Sequence, residues 1–325
     1  MEENMEIIDF KREHIEEASL LAMANYNEER TKVTCLPEVS RIPDLLSFAD
    51  NGLGVAAFEN RKMTGFLCCC SPFEHAFHTE AVGTFSPVHA HGAVKENRAF
   101  LYRRMYQKAA EKWVEHKIVS HAVSLYAHDR EGLEAFFTCG FGLRCVDAIR
   151  PMEPLSFTAP LPLTLSGGIR YEELGKEHQY KIRYLRRMLI EHMGKSPCFM
   201  YQSPEEIDQC LIRAESGDSR IFAALSGGSA IACLELSASA ETFVSETGGI
   251  RNICGAYCLP QHRGKGVYQG LLNHVIETLK AEGWTRLGVD YESINPTAAH
   301  FWPKYFEPYT SGVVRRIDEC AVRNN

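Results

Sequence analysis

The chain is predicted to be an α+β protein of two tandem domains, each a twisted, mixed and mostly antiparallel sheet flanked by helices. Three observations carry this. Its 325 residues exceed what one ordinary domain holds. A strand–helix–helix–hairpin order runs through the first half, breaks at a proline-rich stretch and starts again. Asp129 and Asn295, Phe136 and Trp302, and Arg150 and Arg316 are each 166 residues apart, so one offset aligns helix end, strand, short helix and final hairpin.

In the first half, Met5–Phe10 reads as a short strand leading into a helix through about Arg30, with Ile15, Ala18, Ala22 and Leu20–Leu21 as its apolar side. A second helix is predicted from about Ser40 to Ala49, after the Pro37 break. Val55–Phe58 and Met63–Cys70 alternate as a hairpin around Glu59-Asn60-Arg61. Val82–Ala90 is another strand, and Ala99–Lys117 is a helix with Leu101, Met105, Ala109 and Trp113 in register. Val119–Ala127 follows as a strand and Arg130–Phe137 as a short helix. Thr138-Cys139-Gly140-Phe141 opens a last hairpin ending near Pro151.

Residues 153–168 carry three prolines and close on Gly-Gly, the composition of a linker. This places a first domain over 1–152 and a second over 169–325. In the second, Ile169–Leu174 is a strand, and Lys176–His192 and Pro204–Glu215 are helices. Arg220–Leu225 and Ala230–Ser237 form a hairpin around Ser226-Gly227-Gly228.

The stretch Arg251–Gly283 carries the chemistry. A strand over Asn252–Leu259 stops at Pro260, and a helix starts near Gly266 with Val267, Leu271, Val275 and Leu279 at four-residue spacing. Gly283 supplies its stop. Between them, Gln261-His262-Arg263-Gly264-Lys265-Gly266 presents successive backbone N–H groups at a helix N-terminus. Unpaired first-turn amides and the positive end of the helix dipole suit a phosphate or pyrophosphate, and Arg263 and Lys265 add mobile positive charge. The loop lacks the order of a nucleoside-triphosphate loop and the third glycine of a dinucleotide fingerprint. It resembles the Gln/Arg-x-x-Gly-x-Gly/Ala signature of the GNAT (Gcn5-related N-acetyltransferase) superfamily. The strand Arg286–Tyr291, then Asn295, then a short helix with the aromatic pair Phe301–Trp302, resembles the end of such a domain.

The resemblance implies an acetyl-CoA-dependent N-acetyltransferase acting on a primary amine of a small molecule or peptide, by direct attack and with acetyl-CoA as cosubstrate. It assigns cofactor binding to Tyr257, Cys258, Leu259, Gln261, His262, Arg263, Gly264, Lys265, Gly266, Val267 and Asn295. The loop amides of Gln261–Val267 hold the pyrophosphate, and an amide of Tyr257, Cys258 or Leu259 polarises the thioester carbonyl. Many members place a tyrosine seven residues after the Asn to protonate the leaving thiolate. Trp302 stands there, and an indole N–H cannot serve as that acid. Tyr305 is the substitute acid, with His300 beside it, and Glu292 is the first candidate for the amine's base. Cys258 as a nucleophile is set against the plainer reading of a strand thiol. Two rival readings stay open: an acyltransferase for a larger conjugated substrate, and an acyl-CoA-binding regulatory module without turnover.

Applied to the first half, the same offset puts Arg98 and Phe100 at the places of Gly264 and Gly266. A Cβ there obstructs the approach of backbone to a pyrophosphate. The first half is therefore expected to be a GNAT-like scaffold without an ordinary CoA loop.

Composition sets the remaining bounds. A formal charge of −7 disfavours nucleic acid and anionic membranes, and mildly favours cationic acceptors. No apolar run reaches a membrane span, and MEENMEIIDF is not a secretory signal. The twelve scattered cysteines, without a CxxC pair, read as reduced thiols of a cytoplasmic protein. His75, His78, His89 and His91 invite a zinc site, but the spacing is loose and no metal is assigned. His89 and His91 instead are expected to line an acceptor cleft. Oligomeric state is not legible.

Overall fold

The computed structural model describes residues 5–155, 168–238 and 240–323. Most of the expected linker, 156–167, lies outside them. The chain divides into two compact units: residues up to Asp147 together with those from Pro308 onward, and Ala148–Glu307.

In the first unit, β1 (Met5–Asp9), β2 (Val55–Glu59), β3 (Lys62–Leu67) and β5 (His91–Ala93) form an antiparallel sheet in that order. Asn60 and Arg61 take φ of 50° and 65°, the left-handed pair of a two-residue hairpin turn. α1 (Ile15–Arg30) and α3 (Arg98–Glu115) bury small and aromatic faces, with Trp113 and Met105 fully enclosed. The expected helix at Ser40–Ala49 shrinks to α2 (Leu46–Asp50), because Pro43 interrupts it and the Asp44 carboxylate accepts from Leu46 N at 2.8 Å. The expected strand Val82–Ala90 splits into β4 (Gly83–Ser86) and β5, parted by a turn in which Ala90 N donates to the Pro87 carbonyl.

β4 runs parallel to β6 (Ser120–Tyr126), which α4 (Arg130–Thr138) follows. The last hairpin expected after Thr138 does not form. Instead a single ten-residue strand, β7 (Gly142–Pro151), crosses the division between the units at Asp147. At the other end of the chain, two-residue β13 (Glu307–Pro308) precedes β14 (Thr310–Arg316). β14 pairs antiparallel with β6 through seven residue pairs, Thr310 opposite Tyr126 to Arg316 opposite Ser120, and with the start of β7. The final strand thus belongs to the first unit, whereas the sequence assigns it to the second domain.

The second unit holds β8 (Ile169–Leu174), β9 (Arg220–Ser226), β10 (Ser229–Ser237) and β11 (Ile250–Cys258), each antiparallel to the next, with β12 (Arg286–Glu292) parallel to β11. Gly227 and Gly228, φ 56° and 85°, make the β9–β10 turn. The predicted helix Lys176–His192 begins as 3-10 turns and becomes α5 (Arg183–Met193). Ser203 caps α6 (Pro204–Ser216) with a reciprocal Ser203–Glu206 box. α7 (Val267–Ala281) connects β11 to β12 and buries Leu271, Leu272, Val275, Ile276 and Leu279 completely. The register shifts from Glu235 opposite Gly255 to Leu236 opposite Ile253, so Cys254 is an extra residue on β11, a β-bulge.

Candidate active site

Beyond that bulge, β11 loses its parallel partner. Pairing with β12 ends at Ile253 opposite Val289, although β11 continues to Cys258 and β12 to Glu292. The pleat decides which groups face the gap. Leu259 N donates to the Ile231 carbonyl at 3.0 Å, so Tyr257 and Leu259 turn their backbone polar groups into the β10 ladder. Ala256 and Cys258 direct theirs to the opposite, open edge. Of the three amides expected to polarise a carbonyl, only that of Cys258 faces the gap, and Ala256 joins it.

After Cys258 the chain makes a short 3-10 turn, Pro260–His262, and reaches two left-handed glycines, Gly264 at φ 69° and Gly266 at φ 79°. Nothing lies within 4 Å of a Cβ built at Gly264, so backbone conformation rather than packing sets the need for glycine there. Gly266 caps α7, whose first ladder bond runs from Gly270 N to Gly266 O at 2.9 Å. The amides of Val267, Tyr268 and Gln269 therefore have no acceptor inside the helix.

A cavity of about 300 Å³ follows this edge. Its walls include Tyr257, Cys258, His262, Arg263, Gly264 and Asn295, which the sequence singles out. Leu259, Gln261, Lys265, Gly266 and Val267 are not among them; Val267 is fully buried and Gln261 and Lys265 are exposed. Arg263 is not a mobile charge. Its Nε donates to the Cys258 carbonyl at 2.9 Å and its guanidinium lies 5.3 Å from the centre of the Tyr257 ring. Burial pushes the Cys258 thiol up to about 11.

Neither expected catalytic residue lies on the cavity wall. The half-buried Tyr305 ring packs on Phe301 at 5.0 Å between centroids, and Glu292 ends β12 outside the lining. Trp302, 4% exposed, wedges against Phe306 and Tyr268. His300 Nε2 lies 2.8 Å from Lys304 Nζ, and both line the cavity.

Two wall residues escape a sequence reading. Tyr268, in the first turn of α7, donates its hydroxyl to the Cys233 carbonyl at 3.3 Å, and burial raises its phenol. Its place directly after the glycine loop was a usable signal. His192, near the end of α5, had none: it reaches Asn295 over 103 residues, with Nε2 3.3 Å from Asn295 Oδ1. Asn295 caps α8 (Pro296–Phe301), accepting from Thr297 N.

The corresponding loop of the first unit shows a slip in the repeat. Asn97, φ 56°, caps α3 as Gly266 caps α7, and these two are 169 residues apart, not 166. Lys95 and Asn97, rather than Arg98 and Phe100, therefore stand for Gly264 and Gly266. The guanidinium of Arg98 turns back onto the strand end, donating to Ala93 O at 3.0 Å and Val94 O at 3.2 Å and pairing with Glu28 and Asp129. His91, expected at a cleft, is 3% exposed inside this unit, with ring nitrogens 3.0 Å from the Tyr102 hydroxyl and 2.7 Å from the Ser124 carbonyl. His89 packs against Phe48 in the same interior. Among the described residues no group of three or more His, Cys, Asp or Glu is arranged to hold a metal ion.

Residues 186–306 match the family model described as "Acetyltransferase (GNAT) family". No curated protein matches the chain. Among solved structures, a GCN5-related N-acetyltransferase from Sphaerobacter thermophilus is similar over 97% of this chain and 96% of its own, at 12% identity and a TM-score of 0.56. A GCN5-related glucosamine N-acetyltransferase region of a fungal multi-domain GH3 β-N-acetylglucosaminidase is similar over 95% of this chain and 38% of that one, at 11% identity and a TM-score of 0.53. At such identities the likeness shows the fold alone, that of GCN5-related N-acetyltransferase structures, along nearly the whole chain.

Proposed function

We propose, from a C-terminal half that belongs to the GNAT acetyltransferase family, that this enzyme uses acetyl-CoA to acetylate a primary amine by direct attack, at a site in the Ala148–Glu307 unit. One observation carries the reading: the left-handed glycine loop and the open edge of β11 meet in a single cavity. Loop and first-turn amides bind the pyrophosphate. The pantetheine arm lies along Ala256 and Cys258, whose amides face the gap and can donate to a thioester carbonyl as negative charge develops on it. Asn295 borders the arm from the other side.

The cavity also bears on the acceptor. His262, Arg263, His300 and Lys304 line it, and no carboxylate does among the described residues. The overall charge of −7 is thus a poor guide to this pocket, and a polycationic acceptor gains no support from it. The similar fungal structure is described as a glucosamine N-acetyltransferase region, and we add amino sugars to simple amines and peptide N-termini as acceptors to try. The scattered cysteines, without a CxxC pair, suit a reducing, cytoplasmic setting.

The decisive test is calorimetric titration of acetyl-CoA into the chain and into Gly264→Glu. One site per chain, lost in the variant, is expected. Two sites would mean that the Lys95–Asn97 loop also binds, and no binding would remove the reading.

A further inference from the structure

We infer that His192 is the base that takes the proton from the acceptor amine, and that Asn295 sets its tautomer; this rests on the acetyl-transfer reading above. Asn295 Oδ1 accepts from Thr297 N at 3.2 Å and from Thr297 Oγ1 at 2.7 Å. Those two bonds identify the atom as the amide oxygen, and the amide nitrogen faces the Met193 sulfur at 3.4 Å. An oxygen cannot donate, so His192 Nε2, 3.3 Å away, carries the ring proton and donates to it. The proton is thereby excluded from Nδ1. That nitrogen takes no hydrogen bond among the described residues and keeps a basic lone pair, on a half-buried ring that lines the cavity.

The position fits the task. The His192 ring meets Tyr257 edge-on, 6.5 Å between centroids, at the end of β11 where Ala256 and Cys258 face the gap. Asn295 holds it from the start of α8. The titratable and charged groups around it in the cavity are Tyr257, Cys258 and Arg263 on the β11 side, His262 of the loop, Tyr268 of α7, and His300 and Lys304 of the α8 segment. No carboxylate competes for the role from the lining.

The step balances as follows. Nδ1 removes one proton from the acceptor ammonium, and the freed nitrogen lone pair forms the C–N bond at the thioester carbonyl carbon. Collapse of the tetrahedral intermediate breaks the C–S bond, with the electron pair leaving on sulfur. The attacking nitrogen loses its second proton, which neutralises the thiolate, and the imidazolium returns the first to solvent. Ammonium and acetyl-CoA thus yield amide, CoA thiol and one proton.

The test compares wild type with His192→Gln and His192→Asn. Acetyl-CoA titration reports whether each variant keeps the cosubstrate site. Turnover is followed as acetyl-CoA consumption with the best primary amine of a panel of simple amines, amino sugars and peptide N-termini. If none is consumed, slow acetyl-CoA hydrolysis serves, where the same base deprotonates water. Unchanged acetyl-CoA affinity, a kcat lower by roughly 10²-fold or more, and loss of the acid limb of the pH–rate profile are expected. A variant that binds acetyl-CoA and retains kcat and the acid limb overturns the assignment. So does a ring ¹⁵N spectrum at neutral pH showing the proton on Nδ1. A wild type that fails to bind acetyl-CoA removes the acetyl-transfer reading itself, and His192 with it.

Discussion

The guanidinium of Arg186 grips the carboxylate of Glu235 by two hydrogen bonds, Nε at 2.9 Å and Nη2 at 2.6 Å, with both side chains buried. Arg186 belongs to α5 and Glu235 to β10, opposite Gly255, where β11 bulges and parts from β12. The pair therefore ties a helix to the residues that open the candidate site. A Cβ on Gly255 would stand 3.1 Å from the Glu235 carboxylate, so glycine leaves room for the pair. Removing one partner strands the other charge in a dry interior. Glu235→Ala is expected to cost about 3–5 kcal/mol in urea unfolding. A loss below about 1 kcal/mol would mean that water reaches the guanidinium.

Gly270 gives a prediction of sign. Alanine in place of glycine within a helix normally stabilises by about 1 kcal/mol. Here the added Cβ would fall 2.2 Å from the Tyr171 hydroxyl and 2.6 Å from Cζ, so the whole ring must move. Gly270→Ala is expected to lower stability, and a second change, Tyr171→Ala, to cancel most of that loss in a double-mutant cycle.

Cys258 separates direct attack from a covalent route. Its thiol, pushed up to about 11 by burial, stays protonated at neutral pH and is a poor nucleophile. Cys258→Ser should keep turnover within a few-fold, and intact-mass spectra during turnover should show no acetylated protein. An acetyl adduct on the wild type that is absent from the variant would reverse the mechanism.

Acid stability follows from His121. The ring is fully buried; Nε2 donates to the Ile118 carbonyl at 3.1 Å and Nδ1 accepts from the Tyr106 hydroxyl at 2.9 Å. Burial drives its pKa down from 6.5 to about 4, against the opposing pull of the Ile118 carbonyl. Above pH 6.5 the ring is neutral in both folded and unfolded chains, and its contribution is fully present. As pH falls from 6.5 towards 4 the unfolded chain takes the proton first, and about 3 kcal/mol is lost. Asp290 acts in the other direction. Burial, helped by Glu241, raises its carboxyl from 3.8 to about 6, so acid favours the folded form over that range. The readout is therefore a difference: between pH 6.5 and 4, His121→Phe should lose about 3 kcal/mol less unfolding free energy than wild type. Parallel curves would place the loss elsewhere.

Much of the site was legible because its requirements are local. Gly264 and Gly266 are glycines because the chain must turn left-handed there, and the α7 periodicity and the Gly283 stop are written in neighbouring residues. The same locality exposed the first unit's loop as different, although the alignment slipped by three residues there because α3 has 18 residues and α7 has 15. Local pattern misled at Pro43 and Pro87, where apolar runs suggested longer elements than proline allows.

By itself, then, the sequence determined the repeat, most of the elements, the glycine loop and the resemblance of the C-terminal half to the GNAT family, since each depends on backbone preferences or side-chain period within a few residues. Tertiary structure alone decided the rest. A strand's period names its two faces and not its partner, so nothing near Thr310–Arg316 says that it pairs with Ser120–Tyr126 in the first unit. Nor does anything near His192 announce Asn295, 103 residues away. Such pairings are chosen by what each edge or side chain meets once the chain has folded, and it is there that the candidate base acquires its tautomer.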